Sequence, residues 1–204
     1  SDGALTTSKA VAITVTNDGG EEPVFTSAGT PNFGENGAGT VYTAAAIPEA
    51  GKTLTYAISG ADASLFDINA TTGAVTFKSS PNYEAPGDAG GNNVYDLDIT
   101  ASDGTNSATK AVAISVTNVN EAPVITSAAT ASFAENASGA VYTVAATDQD
   151  AGATLTYSLT GTDAARFNIN KTTGEITFKS TPNYEAPADS GKNNVYDVTV
   201  RASD

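Results

Sequence analysis

Apolar residues along this chain fall in short runs that alternate with polar ones, as in Thr40-Val-Tyr-Thr-Ala-Ala-Ala46, Thr53-Leu-Thr-Tyr-Ala-Ile-Ser59, Leu65-Phe-Asp-Ile-Asn69 and Ala74-Val-Thr-Phe-Lys78. Gly, Asn, Asp and Pro separate the runs, so the pattern predicts β-strands joined by turns. Between Asn93 and Ser102 the period of two is clear. Val94, Asp96, Asp98 and Thr100 share one face, and Tyr95, Leu97, Ile99 and Ala101 share the other. That is a half-buried strand, and it assigns Tyr95 and its later copy Tyr196 to a core. Phe66, Phe77, Tyr56, Phe167, Phe178 and Tyr157 take the same reading. Thr-Thr-Gly at 71–73 and 172–174 is a hairpin turn whose glycine takes a positive φ.

The chain also matches itself. Residues 6–17 (TTSKAVAITVTN) echo 107–118 (SATKAVAISVTN), and 54–103 match 155–204, at an offset of 101 residues; the segments starting at Pro23 and Pro123 match at 100. A period of one whole domain describes an array of globular units, each with its own core. Seven strands per unit imply an all-β fold of tandem seven-stranded Greek-key sandwiches, immunoglobulin-like in architecture. Residues 1–18 read as the last strand of a preceding repeat, 19–118 as a complete repeat, and 119–204 as a repeat without its last strand.

The composition narrows the chemistry. Among 204 residues there are 23 acidic and 9 basic side chains, a net charge of −14, and no Cys, His, Met or Trp. Zinc fingers, thiol nucleophiles, Ser-His-Asp triads and disulfide scaffolds are excluded, and any metal must be a hard cation held by oxygen. The charge argues against nucleic-acid and membrane-surface partners, and no apolar run approaches the roughly 20 residues of a bilayer helix. No residue set supports an enzyme.

The acids recur at fixed repeat positions: Glu35-Asn36, Asn82-Tyr83-Glu84, Asn118-Val-Asn-Glu-Ala-Pro123, Asp148-Gln-Asp150, and Ala-Ser-Asp ending at Asp103 or Asp204. In this order the motifs resemble those of the cadherin repeat: a Glu-Asn, an Asp-x-Glu, a polar linker ending in Ala-Pro, an Asp-x-Asp and an Ala-x-Asp. The wording Tyr-Glu-Ala-Pro, Asn-Asn-Val-Tyr-Asp and Val-Asn-Glu-Ala-Pro is similar to the cadherin-like repeats of giant bacterial surface adhesins. The resemblance implies Ca²⁺ at the middle junction, held by Glu35, Glu84, Asn118, Asn120, Glu121, Asp148, Asp150 and Asp204. Asn82, Asn183 and Asn118 stand where the family has Asp, and the linker is one residue shorter, which implies fewer or weaker ions. At the first junction Pro48-Glu49-Ala50 replaces Asp148-Gln149-Asp150, so that junction is expected to bind poorly. The alternative is that the acids only solubilise the surface and cap turns. Asp88 and Asp189 sit in loops that suggest a calcium loop but lack its closing Glu, and a polar turn is the simpler reading.

The resemblance implies a calcium-stiffened structural spacer of an extracellular adhesin or surface filament, at the cell surface, with neighbouring repeats as head-to-tail partners and cell-surface glycans or other adhesins as further ones. The competing reading is a carbohydrate-binding cadherin-like module, with Tyr83 and Tyr184 as the aromatics to test for sugar stacking. Strand 5–17 carries the core face that the second repeat needs. In a linear array the four residues Gly19–Glu22 reach only about 14 Å, so that strand is expected to complete a repeat of a neighbouring molecule in a head-to-tail filament, which is either a non-covalent polymer or a stretch of two repeats from one much longer continuous chain.

Overall fold

A computed structural model of the chain describes residues 7–16 and 20–204. It is all-β and divides into two compact units at Thr117–Asn118. The ends of the proposed first strand, residues 1–6 and 17, lie outside the described residues, as do Asp18 and Gly19; residues 7–16 form no strand.

Unit 1 contains β1 (Val24–Phe25), β2 (Asn32–Gly34), β3 (Thr40–Thr43), β4 (Ala46–Ile47), β5 (Thr55–Ser59), β6 (Phe66–Ile68), β7 (Ala74–Phe77), β8 (Val94–Ser102) and β9 (Ser107–Thr117). Nine segments make seven strands, because β1 with β2 and β3 with β4 are each one strand interrupted as it turns from one partner to another. One sheet has the order β2-β9-β8-β5, with β2 parallel to β9; facing it are β3-β7-β6 and the pair β1-β4. The core lies between the sheets. Tyr95, Leu97, Ile99 and Ala101 from β8 are all buried, as the alternation predicts, and meet Val112, Ile114 and Val116 from β9 and Val41, Phe66 and Val75 from the other sheet. Phe66, Phe77 and Tyr95 form its aromatic centre, with the Phe66–Phe77 ring centroids 4.2 Å apart and Tyr95 edge-on to Phe77 at 5.0 Å.

Unit 2 repeats this plan with β10 (Val124–Ile125), β11 (Ala140–Thr143), β12 (Ala146–Thr147), β13 (Thr156–Thr160), β14 (Phe167–Ile169), β15 (Glu175–Phe178) and β16 (Thr199–Ser203). Phe167, Phe178 and Tyr196 reproduce the aromatic centre, at 4.4 and 4.9 Å. Its sheets are β11-β15-β14 and the pair β13-β16. No described strand takes the place of β9.

The Thr-Thr-Gly turns are as predicted. Gly73 and Gly174 have φ of +70° and +72°, and a Cβ there would lie 2.4 Å from the Ala44 carbonyl oxygen and 2.6 Å from that of Val144. Glycine is required twice over, by conformation and by the close approach of a backbone.

Candidate metal centre

The candidate ligands divide between the units. In unit 1, Glu35 follows β2, and its backbone N–H donates to the Thr117 carbonyl at 3.0 Å, which fixes it beside the end of β9. The next residue explains the Glu-Asn motif. Asn36 has φ of +56° and donates its N–H to Pro81 O at 2.9 Å, so the backbone turns sharply at a left-handed position that Asn tolerates. The turn drives the Glu35 carboxylate inward, where it is 3% exposed and accepts the Tyr83 N–H at 2.7 Å. That bond holds the Asn82-Tyr83-Glu84 loop against it, and carboxylate oxygens of Glu35 and Glu84 lie within 4.8 Å of each other. Two anions this close repel, and a cation between them removes the repulsion.

In unit 2 the linker residues fold onto the unit's own acids. Asn118 Nδ2 donates to Asp150 Oδ1 at 2.9 Å, the Glu121 N–H donates to Asp150 Oδ2 at 2.8 Å, and Asn120 Nδ2 donates to Asp204 Oδ2 at 2.6 Å. Asp148 Oδ1 accepts the Asp150 N–H at 2.9 Å, while its Oδ2 is buried with no hydrogen-bond partner. A buried carboxylate oxygen without a donor is costly unless a cation meets it. The Glu121 N–H and then the Asn118 amide hold the Asp150 carboxyl below the usual aspartate range, so it stays ionised in mildly acidic solution.

Glu35 and Glu84 are therefore brought together in unit 1, while in unit 2 hydrogen bonds join Asn118, Glu121 and Asp148 to Asp150 and, separately, Asn120 to Asp204. At the far end of unit 1, Asp103 Oδ1 accepts the Thr105 and Asn106 N–H groups at 2.8 and 2.7 Å, and Glu49 is buried. The linker before unit 1 falls partly outside the described residues, at 17–19. Tyr184 is 66% exposed and Tyr83 38%.

Asp88 and Asp189 have the polar-turn role. The Asp88 carboxylate accepts the N–H groups of Asn92 and Asn93 at 3.0 and 2.9 Å, and Asp189 those of Asn193 and Asn194 at 3.0 Å each. Two acids escaped the sequence reading. Asp62 is 3% exposed and clamps the Ala89 and Asp96 N–H groups at 2.7 and 2.8 Å; Asp163 does the same to Ser190 and Asp197. Each ties the loop before β8, or its counterpart in unit 2, to a 3-10 turn. Their only sequence signal is recurrence at the repeat offset.

Burial pushes the Asp88 and Asp189 carboxyls up, but the backbone donors outweigh it and both end below the ordinary 3.8. A depressed native pKa contributes stability that is complete above the unfolded value and is lost as pH falls through the native one. Acid titration followed by circular dichroism should accordingly show an unfolding free energy that is flat from pH 7 to about pH 5 and declines below about pH 4. In Asp88→Asn with Asp189→Asn, this acid-dependent loss should shrink. An unchanged acid limb in that variant would refute the assignment.

The cadherin domain family model matches residues 129–204. Among solved structures, human protocadherin-24 EC1-2 is 19% identical with a TM-score of 0.59, over 89% of this chain and 92% of that one. Drosophila N-cadherin EC1-4 is 22% identical with a TM-score of 0.56, over 89% and 45% of the two chains. Mouse cadherin-23 EC22-24 is 19% identical with a TM-score of 0.54, over 89% and 64%. At these identities the likeness is one of fold, and the fold is cadherin-like. A search of curated proteins finds no match. Among the described residues no helix is long and apolar enough to cross a membrane.

Proposed function

We propose that the chain is a pair of cadherin-type repeats serving as a calcium-stiffened spacer in a large extracellular adhesin of the bacterial type, holding a binding domain away from the cell surface. Its partners in this reading are neighbouring repeats of the same protein, head to tail. The observation that carries it is the buried, unpartnered Oδ2 of Asp148 beside an Asp150 already bound by the linker. Thr117, whose carbonyl anchors Glu35, is bonded directly to Asn118. Ca²⁺ takes six to eight oxygens, and Glu35, Glu84, Asn118, Asn120, Glu121, Asp148, Asp150 and Asp204 offer only oxygen ligands once the two Asn side chains present their carbonyls.

The ion would supply charge neutralisation and a rigid joint. The chain's own residues supply the rest: the Asn36 turn and the Tyr83 N–H aim Glu35, and the linker amides hold Asp150 in place. The junction before unit 1, with Pro48-Glu49-Ala50 in place of an Asp-x-Asp, binds fewer ions on this reading. Calorimetric titration with Ca²⁺, and small-angle scattering with and without chelator, test it. Binding together with a longer, stiffer particle in calcium is expected; no heat and identical scattering curves would overturn it.

A further inference from the structure

The Asn-Asn-Val-Tyr-Asp segment leading into β8 contributes nothing to the candidate ligand set, yet it recurs in unit 2 with its local geometry intact. Its second Asn explains why. Asn93 has φ of +62° and Asn194 of +63°, and each donates its side-chain Nδ2 to a tyrosine carbonyl: Asn93 to Tyr83 O at 2.8 Å, Asn194 to Tyr184 O at 2.9 Å. Those tyrosines stand directly before Glu84 and Glu185. The Tyr83 carbonyl and the Glu84 N–H lie in one rigid peptide plane, so fixing that oxygen fixes the plane from which Glu84 departs. The other side of the tyrosine is held as well. Tyr83 N–H donates to Glu35 Oε2 at 2.7 Å, and Tyr184 N–H to Glu135 Oε2 at 2.9 Å. Beyond the glutamate, Asn82 Oδ1 accepts the Ala85 N–H at 3.0 Å and Asn183 Oδ1 the Ala186 N–H at 3.2 Å. Each of the three bonds thus occurs in both units.

Asn93 is itself anchored to the body of unit 1. Asp88 Oδ1 accepts its N–H at 2.9 Å, its carbonyl accepts the Val116 N–H at 2.8 Å, and it is 9% exposed. The next residue of β9, Thr117, accepts the Glu35 N–H at 3.0 Å. Both acids therefore hang from consecutive residues of one strand, Glu35 directly and Glu84 through Asn93 and Tyr83. The residue type at 93 answers two demands at once. Gly and Asp take a left-handed φ readily but have no side-chain donor, whereas Asn takes it and carries an amide.

We propose that Asn93 is a positioning residue for the Glu35–Glu84 pair, holding Glu84 beside Glu35 before any cation arrives. This role rests on the calcium reading and deepens it. Carboxylate oxygens of the two acids lie within 4.8 Å and repel in the ion-free state. A loop free to move would carry Glu84 away from Glu35. Held by Asn93, the loop meets that repulsion in advance, and an arriving ion has less chain to order.

The test compares Asn93→Gly with the parent 204-residue chain. Glycine keeps the left-handed backbone and removes the amide donor. In chelator, hydrogen exchange should show the Tyr83 and Ala85 amides losing protection at least tenfold, with amides in the middle of β8 and β9 unchanged. Calorimetric titration should show the calcium dissociation constant rising at least tenfold. Val75→Ala truncates a fully buried residue of β7 in the facing sheet. It destabilises unit 1 without touching the loop, and should bind calcium as the parent does. Asp88→Asn keeps an oxygen for the Asn93 N–H and should do the same. If Asn93→Gly retains Tyr83 protection, or loses it yet binds calcium with the parent's affinity, the role of Asn93 is overturned and the calcium reading stands. Equal weakening in Val75→Ala would make the effect one of general stability and overturn the role too. A parent chain that binds no calcium overturns both.

Discussion

Replacing Asp148 and Asp150 together by alanine is expected to abolish the stabilisation that calcium confers. Extracellular calcium modules bind with dissociation constants of about 10⁻⁴ to 10⁻³ M, so a hundredfold excess of ion adds about 2.7 kcal/mol. In a unit of this size that is a melting shift of about 10–20 °C. The double variant also loses the hydrogen bonds from Asn118 and the Glu121 N–H, which exist without any ion. A lower melting temperature alone therefore proves nothing about metal. The informative quantity is the difference of differences: the calcium-minus-chelator shift of the parent less that of the variant. On the present reading the parent shifts and the variant does not, while Asp88→Asn, remote from the linker acids in role, keeps the full shift. Equal calcium shifts in parent and double variant would eliminate these two carboxylates as ligands.

The sequence made the core legible and half concealed the site. Tyr95, Leu97 and Ile99 could be assigned to one face because a strand's side chains alternate strictly, and a packed sandwich leaves no other place for three such residues. The interruptions that split the first strand into β1 and β2, and the second into β3 and β4, leave no comparable trace, since they depend on which neighbour each segment meets. Glu35 was legible as part of a motif, and the geometry supplies the reason for the motif: a left-handed residue must follow it, and Asn serves. Asp62 and Asp163 were not legible. Each binds N–H groups 27 and 34 residues away, and no local pattern encodes a contact of that span. The acids that look most like a calcium loop, Asp88 and Asp189, spend their oxygens on their own turn.

Ile114 and Ile13 occupy the same position in two nearly identical segments, and the same substitution should have very unequal consequences. Ile114 is 0% exposed, between β8 and the facing sheet, opposite Tyr95 in register. Truncation to alanine removes buried methyl and methylene groups and leaves a cavity that well-packed neighbours refill only in part. The expected cost is about 2–5 kcal/mol. Hydrogen exchange can read it locally: protection of the β8 and β9 amides should fall by about 30-fold or more, with unit 2 unaffected. Ile13 is 85% exposed. Ile13→Ala should leave protection in both units unchanged to within about 0.5 kcal/mol. Sequence identity thus gives both residues the same place in the pattern, while burial decides which of them carries stability. If Ile13→Ala weakened unit 1, residues 7–16 would be part of that unit's own core.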